Sequence, residues 1–203
     1  MISIIDYKAG NLTSVERALR HLGVSCKITD RAEEIISSKG VIFPGVGAAG
    51  KAMEVIRSQR LDQVIYDVIT QNIPFLGICL GAQIILDKSE ENDATCLKII
   101  PGVAKRFSDI GLKIPHMGWN DVSIVHDHPI LEGVNPKAQF YFVHSFYPEP
   151  DSDKDIVATT HYGIQFASII GRGNVVATQF HPEKSGRYGL QILKNFTKWD
   201  GEL

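Results

Sequence analysis

The stretch 74-PFLGICLGAQIIL-86 places a cysteine at the junction of two apolar segments. The segment before Cys79 is short and apolar, which is typical of a buried strand, and the segment after it opens a helix. Gly77 and Gly81 flank the cysteine and permit a sharp turn with close approach of neighbouring segments. The pattern indicates a nucleophile elbow, with a thiol displayed between a strand and a helix. The alternative is a small buried structural cysteine.

The segments before this junction alternate between strand and helix. Buried-strand composition predicts strands at 1–7, 24–29 and 40–45, and apolar spacing predicts helices at 11–23, 32–38 and 50–71, the last in two pieces. The elbow itself adds a strand at 74–78 and a helix that opens directly after it with residues 81–89. Such alternation is typical of a parallel sheet that is covered by helices on both faces.

The second half of the chain reads differently. Short β-branched or aromatic segments, separated by turn residues, predict strands and hairpins at 121–126, 138–148, 156–163, 166–173 and 174–182, some of them antiparallel. An amphipathic helix is predicted at 186–199. The predicted fold class is therefore α/β, with a mostly parallel sheet, additional antiparallel strands in the C-terminal half, and a single domain over residues 1–203.

Composition excludes several classes of protein. The 203 residues are 44% hydrophobic and 22% charged, with a formal net charge of −2, so attraction to nucleic acid or to an anionic membrane is not expected. No apolar segment approaches the roughly 20 residues that span a bilayer, and the first residues do not resemble a signal peptide. Three cysteines without CxxC spacing argue against a disulfide framework or a zinc site, and predict a cytoplasmic protein without a metal.

Reactive groups in doubly wound α/β proteins collect where loops leave the carboxyl ends of the strands. One such loop is 44-PGVG-47, whose glycines allow the Val46 N–H to point toward or away from an anion. An ordinary tight turn is the alternative. At the elbow, a thiol before a helix N-terminus is favoured as thiolate, and the Leu80 N–H would face an oxyanion on the attacked carbonyl.

A third loop, 179-QFHPEKSG-186, supplies a base. A thiol nucleophile needs a group that takes its proton and later protonates the leaving group, and the His181 imidazole suits both steps. The Glu183 carboxylate would hold the imidazole in one tautomer. A histidine near a glutamate is usually a surface pair, but here both follow a predicted buried strand, as Cys79 does.

Other polar clusters carry weaker signals. The stretch 126-HDHP-129 is read as a solvated turn, with a metal site as the alternative, and 90-EEND-93 is read as a solvated loop. His21 and His161 show no partner pattern. Cys26 and Cys96 lie in apolar surroundings without flanking glycines, so both are predicted to be structural.

These motifs in combination resemble a known family. PGVG, GICLGAQ and QFHPEKS resemble the triad-type (class I) glutamine amidotransferases, which implies a flavodoxin-like α/β fold. The stretches 6-DYKAGNLTSVERAL-19, 115-PHMGWN-120 and 141-YFVHSFYPEP-150 resemble, within that family, the glutaminase subunits of imidazole glycerol phosphate synthases. The resemblance runs from the first strand to the last helix.

The resemblance assigns roles residue by residue. It implies that Cys79 is the nucleophile, His181 the acid–base and Glu183 its orienting carboxylate. Three sets complete the assignment: oxyanion-hole N–H groups from Val46 and Leu80; a glutamine pocket lined by Gly47, Gln83, Ser145 and Phe146; and a partner face that includes Asn11, Trp119, Tyr141 and Lys184. The family often has tyrosine at position 146, so a contact through the phenol would be lost here, whereas a backbone contact would survive.

The implied activity is hydrolysis of glutamine to glutamate and ammonia, with no cofactor. The ammonia passes to a barrel-type cyclase subunit, in a heterodimer, which makes imidazole glycerol phosphate and an aminoimidazole carboxamide ribotide for histidine biosynthesis. The PGVG loop is a candidate switch that keeps the glutaminase silent until the partner is loaded. The alternatives are a cysteine hydrolase or chaperone-like relative, a paralogous amidotransferase that feeds another synthase, and a non-catalytic interaction subunit.

Overall fold

The computed structural model describes residues 1–8, 11–108 and 111–202. The helices are α1 Leu12–His21, α2 Ala32–Ile36, α3 Ala49–Ser58, α4 Leu61–Thr70, α5 Leu80–Ile84 and α6 Gly186–Phe196. The strands are β1 Ile2–Ile5, β2 Cys26–Thr29, β3 Gly40–Gly45, β4 Phe75–Cys79, β5 Lys88–Ser89, β6 Ala94–Thr95, β7 Gly102–Arg106, β8 His116–Asp121, β9 Ser123–Ile124, β10 Gln139–His144, β11 Phe146–Pro150, β12 Ile156–Tyr162, β13 Ile164–Arg172 and β14 Val175–Thr178.

A large mixed sheet forms the centre of the molecule, in the order β2-β1-β3-β4-β14-β13-β12-β9. The strands from β2 to β14 pair in parallel, and β13, β12 and β9 extend the sheet as antiparallel strands. The predicted α/β class, with antiparallel strands added by the second half of the chain, is confirmed. The carboxyl ends of β3 and β4 lie side by side, with Gly45 opposite Cys79.

The parallel strands bury both of their faces. In β3, Val41 and Phe43 belong to the apolar cluster on one side of the sheet, and Ile42 belongs to the cluster on the other side. The first cluster includes buried residues of α3 and α4, and the second includes buried residues of α1 and α6. Helices on both faces explain why these strands read as continuous apolar segments in the sequence.

Helix α5 is shorter than the sequence predicts. The helical pattern extended to residue 89, but α5 ends at Ile84 and residues 88–89 form β5. The carbonyl oxygens of Ile84 and Leu86 accept hydrogen bonds from the Leu97 and Lys98 N–H groups at 2.8 Å each. These long-range bonds replace the next helical turn, so the helix cannot continue.

Two smaller sheets accompany the large one. Strand β8 pairs with β10, and β11 belongs to the sheet β11-β7-β5-β6. The segment 138–148, predicted as one strand, therefore divides at Ser145 between two sheets, and the strand at His116–Asp121 was not predicted. In the described part of the chain, no helix is long and apolar enough to cross a membrane.

Candidate active site

Cys79 is the last residue of β4, and its backbone adopts φ 55° and ψ −102°. A positive φ is costly for a residue other than glycine and persists only where the surrounding structure imposes it. A Cβ at position 81 would lie 2.5 Å from the Phe43 carbonyl oxygen, and one at position 77 would lie 2.8 Å from the Gly81 backbone. Because only glycine fits at both positions, the segments pack closely and fix the elbow.

The thiol opens into a cavity of about 530 Å³ at the carboxyl ends of the strands. The lining includes the predicted nucleophile, its base, both predicted oxyanion donors and all four residues of the predicted glutamine pocket: Cys79, His181, Val46, Leu80, Gly47, Gln83, Ser145 and Phe146. These residues come from the loop after β3, from β4, α5 and the β10–β11 junction, and from the segment after β14. The fold therefore brings together residues that lie more than 130 positions apart in the sequence.

Glu183 orients His181. Its Oε1 atom accepts a hydrogen bond from His181 Nδ1 at 2.8 Å, and the two side chains are 1% and 3% exposed. Since a carboxylate only accepts, Nδ1 carries the proton and Nε2 is the atom left to exchange a proton with substrate or thiol. Pro182 lies between them, at the start of the short turn Pro182–Lys184.

The pKa of His181 depends on its interactions with Cys79 and Glu183. Burial disfavours the imidazolium, but hydrogen bonding and charge interaction with Cys79 and Glu183 outweigh burial and raise the pKa of His181 well above its ordinary value. Nε2 of His181 makes no hydrogen bond of standard geometry within the described residues. Catalytic hydrogen bonds in a site without substrate are often long and tighten when substrate binds. The arrangement supports a thiolate–imidazolium pair.

The Val46 peptide does not face the cavity as a free donor. Its N–H donates to the Tyr7 hydroxyl at 3.1 Å, and that hydroxyl donates back to the Val46 carbonyl at 3.3 Å. Tyr7 is buried and stacks on Phe43 with ring centroids 4.9 Å apart. Burial raises the pKa of Tyr7 to about 12, so the hydroxyl keeps its proton at neutral pH. In this conformation the phenol holds the N–H that the sequence assigned to the oxyanion hole.

A chain of buried hydrogen bonds supports the cavity wall. The Phe146 carbonyl accepts from Gln83 Nε2 at 2.9 Å and from His144 Nδ1 at 2.8 Å. Nε2 of His144 therefore accepts from His116 Nδ1, 3.0 Å away. Burial lowers the pKa of His144 to about 3 and of His116 to about 4, so both rings are neutral. Phe146 contributes through its backbone, so this contact does not depend on a tyrosine hydroxyl at position 146.

Two predictions for polar clusters need correction. Glu91, read as part of a solvated loop, lines the cavity and accepts the Ala49 N–H at 2.7 Å. A local charge pattern does not show that the turn Glu91–Asp93 folds against the start of α3. His128, read as part of a solvated turn, is buried and accepts the Ile130 N–H at 3.2 Å through Nδ1.

The four residues of the predicted partner face lie on the surface around the turn Pro182–Lys184, called here the catalytic turn because it follows His181. Trp119 is 54% exposed and packs edge-on against Tyr141, with ring centroids 6.2 Å apart. The Tyr141 carbonyl accepts the His181 N–H at 3.0 Å. Lys184 is exposed in the same turn, and α1, which Asn11 precedes, packs against that turn. A partner bound here would therefore touch residues one hydrogen bond from the acid–base.

The other two cysteines, Cys26 and Cys96, lie outside the cavity that Cys79 lines. Burial raises the pKa of the Cys96 thiol to about 11, and burial also raises the pKa of the Cys26 thiol. Neither thiol lines the cavity. Among the residues that the structure describes, no group of three or more His, Cys, Asp or Glu side chains is arranged to hold a metal ion.

Comparison with known proteins agrees with this geometry. The family model described as "Glutamine amidotransferase class-I" matches residues 3–199. The chain belongs to the class-I glutamine amidotransferase family. It is 50% identical over 206 residues to "Imidazole glycerol phosphate synthase subunit HisH" of Desulfovibrio desulfuricans, covering 98% of this chain and 94% of that one. It is 48% identical to the HisH subunit of Methanocaldococcus jannaschii, covering 98% and 99% of the two chains.

Solved structures share the fold. A crystal structure described as a glutamine amidotransferase superposes with a TM-score of 0.77, at 17% identity and 98% coverage of both chains. The structure of PurLQS from Thermotoga maritima also gives a TM-score of 0.77, at 17% identity and 97% coverage of both chains. At this identity the likeness concerns the fold alone. The predicted resemblance, fold class and enzyme class are confirmed.

Proposed function

We propose that this chain is the glutaminase subunit of an imidazole glycerol phosphate synthase and acts in histidine biosynthesis. About 50% identity to HisH subunits over nearly the whole chain carries the assignment to that synthase. The site supports the chemistry, because a cysteine in a strained elbow lies in one cavity with a histidine that a buried glutamate orients.

The first half-reaction acylates the cysteine. The Cys79 thiolate attacks the side-chain carbonyl carbon of glutamine, and His181 holds the proton as imidazolium. The tetrahedral oxyanion is stabilised by the Leu80 N–H, and by the Val46 N–H once Tyr7 releases it. His181 gives its proton to the departing nitrogen, the carbon–nitrogen bond breaks, and ammonia leaves a glutamyl thioester.

The second half-reaction releases glutamate. His181, now neutral, takes a proton from water through Nε2, and the resulting hydroxide attacks the thioester carbonyl. The carbon–sulfur bond breaks, glutamate leaves, and the thiolate–imidazolium pair is restored. Glu183 keeps the proton on Nδ1 throughout, so only Nε2 exchanges protons with the reacting groups.

The Glu91 carboxylate and the cavity size suit the rest of the glutamine molecule. A carboxylate at the wall favours the α-ammonium group, and Gly47, Gln83, Ser145 and Phe146 complete the pocket. No metal or organic cofactor takes part in this chemistry.

The partner is a barrel-type cyclase subunit that receives the ammonia, in a heterodimer. Trp119 and Met117 project from one face of β8 and are 54% and 61% exposed, which is the character of an apolar contact surface beside the catalytic turn. Tyr141 lies opposite Trp119 in the β8–β10 pair. Lys184 is exposed in the turn after His181, and Asn11 precedes α1, which packs against that turn. A cytoplasmic location stays a prediction from the cysteine pattern.

The test is glutamate release by this chain alone, with a barrel cyclase, and with that cyclase plus its nucleotide ligand. We expect strong stimulation by the liganded cyclase and complete loss in Cys79→Ala. Cys26→Ala is the matched control, because this thiol lies outside the cavity, and it keeps the activity.

Two outcomes would contradict the assignment. Equal hydrolysis with and without the cyclase indicates a free-standing hydrolase or a paralogue that serves another synthase. The absence of activity in every combination indicates an interaction subunit.

A further inference from the structure

A buried amide beside the nucleophile has no part in the chemistry described so far. Gln179 directly follows β14, is fully buried, and places its Nε2 atom 3.6 Å from Cys79 Sγ. That separation is a hydrogen-bond distance for a sulfur acceptor. The two residues are neighbours because β14 pairs in parallel with β4, with Thr178 opposite Ile78.

The orientation of this amide follows from its neighbours. Gln83 Nε2 lies 2.9 Å from the Phe146 carbonyl oxygen, which only accepts, so this end of Gln83 is its NH₂ group. The same NH₂ group lies 3.0 Å from Gln179 Oε1. The opposite end of Gln179 is therefore its NH₂ group, and an N–H bond is available to Cys79 Sγ. Rotating either amide by 180° would place two donors or two acceptors against each other.

The backbone holds Gln179 in the same place. Its N–H donates to the Ser168 carbonyl at 2.9 Å, which ties the residue to β13 on one side. Gln83 projects from α5, the helix that begins directly after Cys79. The sulfur and Gln83 therefore belong to the elbow, and the donor belongs to the end of β14, the strand paired with β4.

We propose that Gln179 is a further catalytic residue, which stabilises the Cys79 thiolate through an N–H···S⁻ hydrogen bond. A hydrogen bond to an ionised acceptor is stronger than one to a neutral acceptor, so this amide favours the thiolate over the thiol. The thiol proton still passes to His181 Nε2, and Gln179 forms no covalent bond and exchanges no proton. Gln83 is the positioning residue that turns the amide toward the sulfur.

This proposal rests on the proposed function, since it assumes that Cys79 is the nucleophile. Its test needs neither glutamine nor the cyclase. The rate of Cys79 alkylation by iodoacetamide is measured from pH 4 to 10, and mass spectrometry of the Cys79 peptide separates this thiol from the other two cysteines. If the wild-type protein released no glutamate with the liganded cyclase although its Cys79 alkylation curve was as expected, that result would count against the proposed function and not against the role of Gln179.

Gln179→Met fills a similar volume without a donor. We expect the pH of half-maximal alkylation to rise by about one pH unit, which is about a tenfold slower reaction on the acid side of the curve. The rate at alkaline pH stays unchanged, because there every thiol is ionised. A role in packing alone would lower the melting temperature without moving this curve.

Gln179→Glu provides a second variant if the methionine variant does not fold. It keeps an oxygen for Gln83 to donate to and replaces the N–H with a carboxylate oxygen, so the curve moves further toward alkaline pH. Asn195→Leu is the control for the loss of a buried amide, because Asn195 donates to the Ile130 and Glu132 carbonyls away from the cavity. It leaves the curve in place. An unchanged curve in a folded Gln179 variant would overturn the proposal.

Discussion

The two predicted oxyanion donors lie on adjacent strand ends but are held in different ways. Leu80 is 2% exposed and belongs to the elbow, where Gly77 and Gly81 leave no space between segments. Val46 is 41% exposed, and the following Gly47 has φ 98°, where an added Cβ would meet no described atom within 4 Å. Among the described residues, the Tyr7 hydroxyl provides the hydrogen bonds that hold the Val46 N–H and carbonyl.

This difference separates a fixed half of the site from an adjustable one. Cys79, His181, Glu183 and the Leu80 N–H are held in place by packing and by buried hydrogen bonds. The Val46 donor needs a peptide to turn, which Gly47 permits at low cost. Control of activity at the adjustable half would leave the fixed half intact, as the proposed stimulation by a liganded cyclase requires.

The largest effect is expected when the fixed half is broken at Glu183. Glu183→Gln keeps the shape of the side chain but removes the charge that stabilises the imidazolium. We expect the glutaminase rate with the liganded cyclase to fall by about a hundredfold or more. Because Glu183 is one source of the raised pKa of His181, the pKa measured by NMR titration of the ring should fall in the same variant.

Glu33→Gln is the control for Glu183, because the Glu33 side chain is 89% exposed and lies on α2, which does not line the cavity. It should leave both the rate and the His181 titration unchanged. An unchanged rate in Glu183→Gln would mean that His181 needs no orienting charge.

A smaller effect, of opposite sign, is expected at the adjustable half. Tyr7→Phe keeps the stacking on Phe43 and removes the hydroxyl that accepts the Val46 N–H. Since a hydrogen bond of this kind contributes about 0.5–1.5 kcal/mol, glutaminase activity without the cyclase should rise about three- to tenfold. Steady-state glutamate release measures the change.

Two further variants sharpen this result. Tyr66→Phe removes a hydroxyl that donates to the Leu97 carbonyl, away from the cavity, and should not raise the activity. Val46→Pro removes the N–H altogether, so activity stimulated by the cyclase should fall, while the Tyr7 hydroxyl keeps only the carbonyl of residue 46 as its partner. If Val46→Pro keeps full stimulated activity, the loop supplies no donor.

The smallest effect is a pH dependence of stability that arises in the cavity wall, at His144. Burial lowers the pKa of His144 to about 3, whereas the unfolded ring titrates near pH 6.5, so the unfolded state binds more protons between these values. The contribution of His144 to the free energy of unfolding should therefore be fully present above pH 6.5 and be lost as the pH falls toward 3. His144→Gln removes one titrating group and should reduce the slope by up to about 1.4 kcal/mol per pH unit.

Urea unfolding between pH 6.5 and 4.5 measures this slope. The exposed His161 provides the control, because His161→Gln should leave the slope unchanged. A slope that is the same in His144→Gln and the wild type would show that His144 is protonated in the folded protein, contrary to the hydrogen-bond pattern around it.

The sequence predicts the fixed half well because local signals define it. A strand, a glycine-flanked cysteine and a helix start are adjacent in the chain, and His181 and Glu183 are two residues apart. The parallel core follows from the alternation of apolar strands and amphipathic helices. The short α5, by contrast, depends on bonds to residues 97–99, which no local pattern shows.

The adjustable half and the cavity wall depend on contacts that are distant in sequence. The Tyr7–Val46 bonds span 39 positions and the Gln83–Gln179 bond spans 96. Glu91 reaches the cavity only because its turn folds against the start of α3. Such contacts are set by the packed sheet, so residue type and spacing alone do not reveal them.

The most direct test of the account is to identify the residue that becomes acylated. Enzyme turning over glutamine with the liganded cyclase is quenched in acid, digested and analysed by mass spectrometry. The account predicts a glutamyl group on the Cys79 peptide, with Cys26 and Cys96 unmodified and no adduct in Cys79→Ala. A glutamyl group on another residue, or glutamate release without an adduct on Cys79 when deacylation is slow, would contradict it.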